Sequence, residues 1–239
     1  LESGFNGLER AKRMLPSREH RRFARIVGCR AKVDARHREV IRGAGGLAQP
    51  VRHQRLILQL LAHQRAALFA LACSEGVEAR LVAREGQGKA ARWRVRQSPL
   101  PRSALPPLSR PAWTLLVQGL DLHVPAAHAM LQAFRFVPDA RLDDLMVSWA
   151  SAGGGVGPHL DSYDVFLLQV QGKRRWRIGR AKDPQWLPGA PLKLLQNFVP
   201  EEEWVLEPGD MLYLPPLYAH DGLAEACDML LDPQHVARF

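Results

Sequence analysis

Two histidines and one aspartate in this sequence have the side-chain chemistry and the spacing of a metal site. His159 and Asp161 stand two positions apart, so in an extended strand both side chains point to the same face and can share one cation. His220 follows a predicted strand and the Pro215–Pro216 bend, which makes it the candidate for a third ligand. Two imidazole nitrogens and one carboxylate oxygen leave coordination positions open, a donor set that suits non-haem Fe(II). The alternative is that His159 pairs with Asp161 at a strand edge while His220 caps a loop.

A run of basic residues around Trp176 is the second feature that could do chemistry. Alternation along a strand sends Arg174, Trp176 and Ile178 to one face, so Arg174 points inward if the two apolar side chains face a barrel interior. A guanidinium in such a place needs an anionic partner, because an uncompensated buried charge is costly. A dicarboxylate cosubstrate would provide that partner through a bidentate contact. The alternative is a solvated hairpin tip, the usual place of a charge cluster.

Short strands separated by turns are the elements that must position these residues. The two-residue period of apolar side chains predicts an antiparallel sandwich or barrel. We expect strands at 79–84, 91–96, 144–150, 163–170, 174–178, 204–206 and 211–214, and a weaker one at 39–42. Helical spacing predicts helices at 56–73, 113–122 and 126–136. The glycines at 153–155 and 157 are expected either to let a substrate backbone approach closely or to form a flexible loop.

The charge of the chain is unevenly distributed. Its 239 residues, 46% hydrophobic and 24% charged, predict one globular domain or one domain with a terminal arm. Residues 1–60 hold 14 Lys and Arg against 5 Asp and Glu, whereas residues 61–239 hold 19 of each class. The globular part therefore makes no electrostatic case for specific nucleic-acid binding. An RNA-binding arm is a further alternative; having only two aromatic residues, it would bind by charge and be sensitive to salt.

Cysteine usage and hydropathy predict a cytoplasmic chain. Cys29, Cys73 and Cys227 have no CxxC spacing, so the sequence indicates neither a disulfide framework nor a cysteine zinc site. The first residues lack the unbroken apolar stretch of a secretory signal. The most apolar run, at 56–73, is interrupted by polar residues and is better explained as an amphipathic helix than as a membrane span.

Several motifs closely resemble the bacterial ribosomal oxygenases, a family of JmjC-type cupins. They are DDLM at 143–146, GGGVGPHLDSYDVF at 153–166, RRWRIG at 174–179, EPGDMLYLPP at 207–216 and AHDG at 219–222. The resemblance covers roughly residues 66–225. It implies a mainly β fold with N-terminal helices, built on a double-stranded β-helix, the cupin or JmjC barrel. The barrel is expected at about 140–225 within a domain at 61–239, preceded by a basic, poorly specified arm at 1–60.

The resemblance also implies a function. Members of the family are Fe(II)- and 2-oxoglutarate-dependent dioxygenases that hydroxylate an arginine of the sixteenth large-subunit ribosomal protein. By this resemblance His159, Asp161 and His220 would bind iron, and Arg174 would hold the far carboxylate of 2-oxoglutarate. Three acidic residues near the mouth of the barrel could receive a basic substrate side chain: Asp143, Asp144 and Asp164. The expected partner is a ribosomal protein, with no membrane and no specific nucleic acid.

The sequence departs from the family pattern after Glu225. The family continues there with another barrel strand, a helical segment that makes a homodimer, and a winged-helix-like end. This chain instead runs through Cys227 and Leu231 to Phe239, so we expect a barrel that is incomplete at this end and a doubtful dimer. The alternative function is therefore that of a truncated, catalytically impaired cupin remnant that acts only as a binding protein.

Overall fold

Antiparallel strands make up most of the structure, a computed structural model that describes residues 29–34, 38–43, 65–86, 91–135 and 139–235. The strands are β1 Cys29–Asp34, β2 Arg38–Gly43, β3 Ala79–Glu85, β4 Arg92–Gln97, β5 Trp113–Val117, β6 Leu142–Ala150, β7 Asp164–Gln171, β8 Arg174–Arg180, β9 Glu202–Leu206, β10 Met211–Leu214, β11 Tyr218–Ala224 and β12 Asp228–His235. The helices are α1 Arg65–Ala72, α2 Leu120–His123 and α3 Pro125–Leu131. Within the described residues, no helix combines the length and apolar character needed to cross a membrane.

The strands form two sheets that pack face to face. The large sheet has the order β1-β2-β10-β7-β12-β6-β5-β3-β4, and the small sheet has the order β11-β8-β9. Every described pairing is antiparallel, as predicted for a sandwich or barrel of short strands. Backbone hydrogen bonds do not join the two sheets into one closed barrel along the described strands. The prediction of a mainly β fold is confirmed.

Alternation along the strands divides the apolar side chains between two cores. On β6, Leu145, Val147 and Trp149 point to the outer face of the large sheet, where α1, α2 and α3 cover them. An aromatic cluster anchors this outer core, with the rings of Trp113 and Trp149 4.8 Å apart. The inner core lies between the sheets and is formed by residues from both: Val165, Leu167, Trp176, Ile178, Leu206, Leu212, Leu214, Tyr218 and Leu230. The space that holds the candidate site is bordered by this inner core.

The helix predicted at 113–122 is wrong in its first half. Residues Trp113–Val117 are the strand β5, which pairs with β3 and β6 and is buried throughout. Periodicity alone cannot separate a fully buried strand from a buried helix, because both are continuous apolar runs. Gly119 then takes a left-handed φ of 60° and α2 begins at Leu120. The helix predicted at 126–136 is α3 followed by a single 3-10 turn, Gln132–Phe134.

The part of the chain predicted as a basic arm contributes two strands. β2 contains the strand predicted at 39–42 and pairs with β10, so β1 and β2 extend the large sheet at one edge. The first part of the helix predicted at 56–73 lies outside the described residues, which resume with α1 at Arg65. The boundary predicted at residue 60 stays a prediction.

A further strand follows Glu225, which corrects the expectation of an incomplete barrel end. β12 lies in the middle of the large sheet, between β7 and β6. Met229 and Leu231 point into the outer core, and Leu230 points into the inner core. The register of β12 shifts between Pro233 and His235, as expected where a proline removes a ladder hydrogen bond.

Candidate metal centre

A backbone bridge brings the two candidate histidines side by side. The amide of His159 donates to the carbonyl of His220, and the amide of His220 donates to the carbonyl of His159, both at 3.0 Å. Directly opposed residues of an antiparallel pair point to the same side, so the two imidazole rings lie with their centroids 4.2 Å apart. His159 therefore belongs to an isolated bridge outside the long strands. The strand predicted at 163–170 begins after it, at Asp164.

Asp161 completes the predicted triad. Its Oδ2 atom lies 3.6 Å from Nε2 of His159 and 3.3 Å from Nε2 of His220. The amide of Leu217 donates to the carbonyl of Asp161 at 2.7 Å and fixes the loop that carries the carboxylate. Ligand atoms about 2.1 Å from one ion lie roughly 3.0 to 3.4 Å from each other at octahedral to tetrahedral angles. The three side chains thus converge closely enough to share one cation.

Hydrogen bonds set the tautomer of both imidazoles. Nδ1 of His159 lies 2.9 Å from the carbonyl oxygen of Gly157, and Nδ1 of His220 lies 2.9 Å from that of Tyr218. A carbonyl oxygen only accepts, so each Nδ1 must carry the proton and donate it. Each Nε2 is then left to present a lone pair beside Asp161. Such an outer partner on the second ring nitrogen is the usual support of a metal-binding histidine.

The electrostatics of the triad favour a neutral His159 and an ionised Asp161. Burial, together with the neighbouring His220, lowers the pKa of His159 to about 4. Burial raises the pKa of Asp161, but the close contacts with His220 and His159 outweigh this effect, so the pKa lies below its ordinary value. The His220 side chain is buried, whereas those of His159 and Asp161 are 23% and 20% exposed. One side of the triad is therefore accessible.

Arg174 points into the molecule, as its alternation with Trp176 and Ile178 predicted. Its Cζ atom lies 5.9 Å from the centre of the Trp176 ring, and the His220 ring lies 5.8 Å from the same indole. Its anionic partner comes from the chain itself. Nε of Arg174 donates to Oδ2 of Asp228 at 2.8 Å, and Nη2 donates to Oδ1 of the same carboxylate. Nη1 donates to the hydroxyl of Ser148 at 3.1 Å.

Sequence reasoning missed both partners of Arg174. Asp228 lies 54 positions away, on a strand that was not predicted. The signal was present in residues 228–232, where Met229 and Leu231 alternate with the two aspartates and Leu230. That two-residue period places Asp228 on the inward face once the segment is taken as a strand.

The glycine-rich loop before the triad packs closely against other backbone of this chain, and its predicted role toward a substrate stays a prediction. A Cβ atom on Gly155 would lie 2.2 Å from the carbonyl oxygen of Gly222, and one on Gly154 would lie 2.3 Å from that of Trp113. The loop is also hydrogen-bonded to the end of β11, since Gly153 donates to Ala224 at 2.8 Å and Ala224 donates to Gly154 at 2.9 Å. These glycines allow close contact between two segments of the same backbone.

The three acidic residues predicted at the mouth have separate surroundings. Asp143 is exposed. Asp144 shares the inward face of β6 with Met146 and Ser148, and its Oδ2 accepts a hydrogen bond from the amide of Gly119. Asp164 accepts a hydrogen bond from the hydroxyl of Tyr213 at 2.6 Å, on the outer face of the large sheet. Of the three, Asp144 alone combines partial burial with a position on the side of Arg174, and a substrate role for any of them stays a prediction.

The carboxyl of Asp144 should make stability depend on pH. Burial and the neighbouring acids raise its pKa to about 6, well above the ordinary 3.8, although the Gly119 amide opposes the shift. Between these two values the unfolded chain releases the proton first, so the contribution of Asp144 to stability is lost as the pH rises. We expect Asp144→Asn to become increasingly more stable than the unchanged chain from about pH 4 to pH 6.

Urea unfolding across this pH range measures the effect. Asp183→Asn is the control, because the side chain of Asp183 is exposed. A stability difference for Asp144→Asn that stays constant with pH would contradict the assignment.

Comparison with known proteins shows which proteins this chain is similar to. The JmjC domain family matches residues 129–232. The ribosomal protein uL16 3-hydroxylase of Escherichia coli strain K12 is 43% identical over 159 residues, covering 66% of this chain and 41% of that protein. A probable ribosomal oxygenase of Haemophilus influenzae is 38% identical over 163 residues, covering 66% and 39%. The chain thus spans about two fifths of the length of these curated relatives.

Solved structures give the same result. The ribosomal oxygenase YcfD of E. coli in complex with cobalt and 2-oxoglutarate superimposes with a TM-score of 0.62 at 36% identity, over 73% of this chain and 44% of that one. Another crystal structure of the same protein reaches a TM-score of 0.70 at 31% identity, over 88% and 55%. The two facing sheets are therefore those of the cupin fold, and the resemblance predicted from the motifs is confirmed. Residues 129–232 thus match the JmjC domain family, and the chain is similar to the bacterial ribosomal oxygenases.

Proposed function

We propose that this chain is the catalytic domain of an Fe(II)- and 2-oxoglutarate-dependent dioxygenase that hydroxylates a side chain of a ribosomal protein. The observation that carries the proposal is the convergence of His159, Asp161 and His220 on one point. The names of the relatives support it, since they describe a uL16 hydroxylase and a structure holding cobalt and 2-oxoglutarate. The finer proposal, drawn from the family resemblance, is that the target is an arginine of the sixteenth large-subunit ribosomal protein.

The donor set of the triad fits iron. His159, Asp161 and His220 would hold the ion through two nitrogens and one oxygen, and the accessible side of the triad leaves room for further ligands. Iron and 2-oxoglutarate, when bound, supply the oxidising chemistry. The residues of this chain fix the positions of the ligands: the Gly157 and Tyr218 carbonyls orient the imidazoles, and Trp176 packs near His220.

A turnover assay tests the proposal. The purified chain is incubated with Fe(II), 2-oxoglutarate and a peptide from the ribosomal protein, and both succinate and peptide oxidation are measured. We expect Asp161→Ala to reduce both to background, because two imidazoles alone hold a metal poorly. His123→Ala, which changes an exposed histidine on α2, should leave them unchanged. Equal succinate release from the unchanged chain and Asp161→Ala would refute the proposal.

The second candidate is the catalytically impaired binding protein. The observation that favours it is the bidentate contact of Arg174 with Asp228, because the residue expected to hold 2-oxoglutarate already has a carboxylate partner. A chain that binds Mn(II) at the triad yet releases no succinate would decide for this candidate.

A further inference from the structure

Arg174 and Asp228 form a buried ion pair that leaves few hydrogen-bonding groups of the guanidinium without a partner in the chain. The side chain of Arg174 is 4% exposed and that of Asp228 is fully buried. Nε and Nη2 of the guanidinium donate to the two oxygens of the carboxylate, and Nη1 donates to Ser148. A guanidinium has five N–H groups, so two remain on the outer edges of Nη1 and Nη2. A ligand can reach Arg174 only through these two groups.

The positive charge of Arg174 is already balanced. Asp228 neutralises Arg174, and Asp232 is a second buried acid on the same face of β12, four residues further along. A dicarboxylate whose far end binds Arg174 would add another negative charge to a neutral pair in a place sheltered from water. Taking a charge out of water is costly unless an opposite charge compensates it. A 2-oxo acid whose far end is uncharged could bind there without this cost.

We propose that Asp228 acts as an internal carboxylate at Arg174 and sets the specificity of the cosubstrate pocket by weakening the binding of dicarboxylates. This inference rests on the proposed function, because it takes Arg174 as the group that meets the far end of a 2-oxo acid. Removal of the Asp228 charge leaves the guanidinium with the neutral Ser148 as its other partner. The far carboxylate of 2-oxoglutarate, bound at the two remaining N–H groups, then supplies the opposite charge.

Calorimetric titration in the presence of Mn(II) tests this specificity. Two probes are compared: 2-oxoglutarate, which ends in a carboxylate, and 2-oxobutyrate, which ends in a methyl group. We expect Asp228→Asn to bind 2-oxoglutarate roughly tenfold or more tightly than the unchanged chain does, with little change for 2-oxobutyrate. Asp232→Asn is the matched control, because it removes a buried charge from the same face of β12, and it should keep the preference of the unchanged chain.

Thermal unfolding of Asp228→Asn gives a second readout. It can be measured even if this variant melts at a lower temperature than the unchanged chain. Because this variant buries an uncompensated guanidinium, we expect 2-oxoglutarate or succinate to raise its melting temperature more than that of the unchanged chain. Equal affinities and equal melting shifts in the two proteins would overturn the inference. Failure of the proposed function is distinguishable, because neither protein would then bind either 2-oxo acid in the presence of Mn(II).

Discussion

Replacing His220 by alanine should abolish the rise in melting temperature that Mn(II) or Co(II) gives the unchanged chain. Nε2 of His220 lies 3.3 Å from Oδ2 of Asp161, and its Nδ1 proton is held by the Tyr218 carbonyl, so the ring is already oriented as a ligand. A ligand that binds only the folded state stabilises it by about 2.7 kcal/mol at a hundredfold excess over its Kd. Without His220, one nitrogen and one oxygen remain, and this gain is lost.

The comparison must be made between melting shifts rather than melting temperatures. His220 is 2% exposed, so its replacement also leaves a cavity and lowers stability without metal. Asp161→Asn keeps the size of the side chain while removing its charge, and it should reduce the shift as well. His123→Ala should retain the full shift, since His123 is exposed on α2. A metal-dependent shift of equal size in His220→Ala would show that the ion binds elsewhere.

Replacing Arg174 by alanine should destabilise the fold by about 3 to 5 kcal/mol, because it leaves the carboxylate of Asp228 buried without an opposite charge. The Ser148 hydroxyl also loses its contact with the guanidinium. Urea unfolding at neutral pH measures the loss. The variant loses this stability even without a cosubstrate. Binding measurements on it therefore require the folded fraction to be known.

Two further variants separate the buried charge from the lost volume. The double variant Arg174→Met with Asp228→Leu should recover most of the stability, because apolar side chains replace both charges. Arg175→Ala removes an exposed arginine that pairs with Glu203 and Glu225, and it should have a much smaller effect. If the double variant were no more stable than Arg174→Ala, the loss would have to come from packing rather than from the unpaired carboxylate.

The triad and the inward arginine could be predicted because their signals are local. The two-residue spacing of His159 and Asp161, and the alternation of Arg174 with Trp176, need only the period of an extended chain. His220 was reached through its place after a strand and a proline bend, and the family motifs agreed. The spacing did not predict how the two histidines come into contact. The two histidines are joined through reciprocal backbone hydrogen bonds rather than through neighbouring positions on one long strand.

The predictions that were wrong or missing concern residues whose secondary structure or contacts depend on partners distant in sequence. Trp113–Val117 has the same apolar pattern as a buried helix, and only its place between β3 and β6 makes it a strand. Asp228 was not recognised as the partner of Arg174 because the pairing register of β12 decides what it faces. The contacts of Gly155 with Gly222 likewise depend on tertiary packing.

The position of β12 between β6 and β7 has a consequence for biosynthesis. One group of strands in the large sheet is β6-β5-β3-β4 and the other is β1-β2-β10-β7; among the described strands, β12 alone hydrogen-bonds to both groups. Residues 228–235 leave the ribosome after every other described strand, so the two groups stay unjoined and Arg174 lacks its carboxylate until that moment. Such long-range pairing makes completion of the sheet a late and slow step, during which the nascent chain exposes two open strand edges.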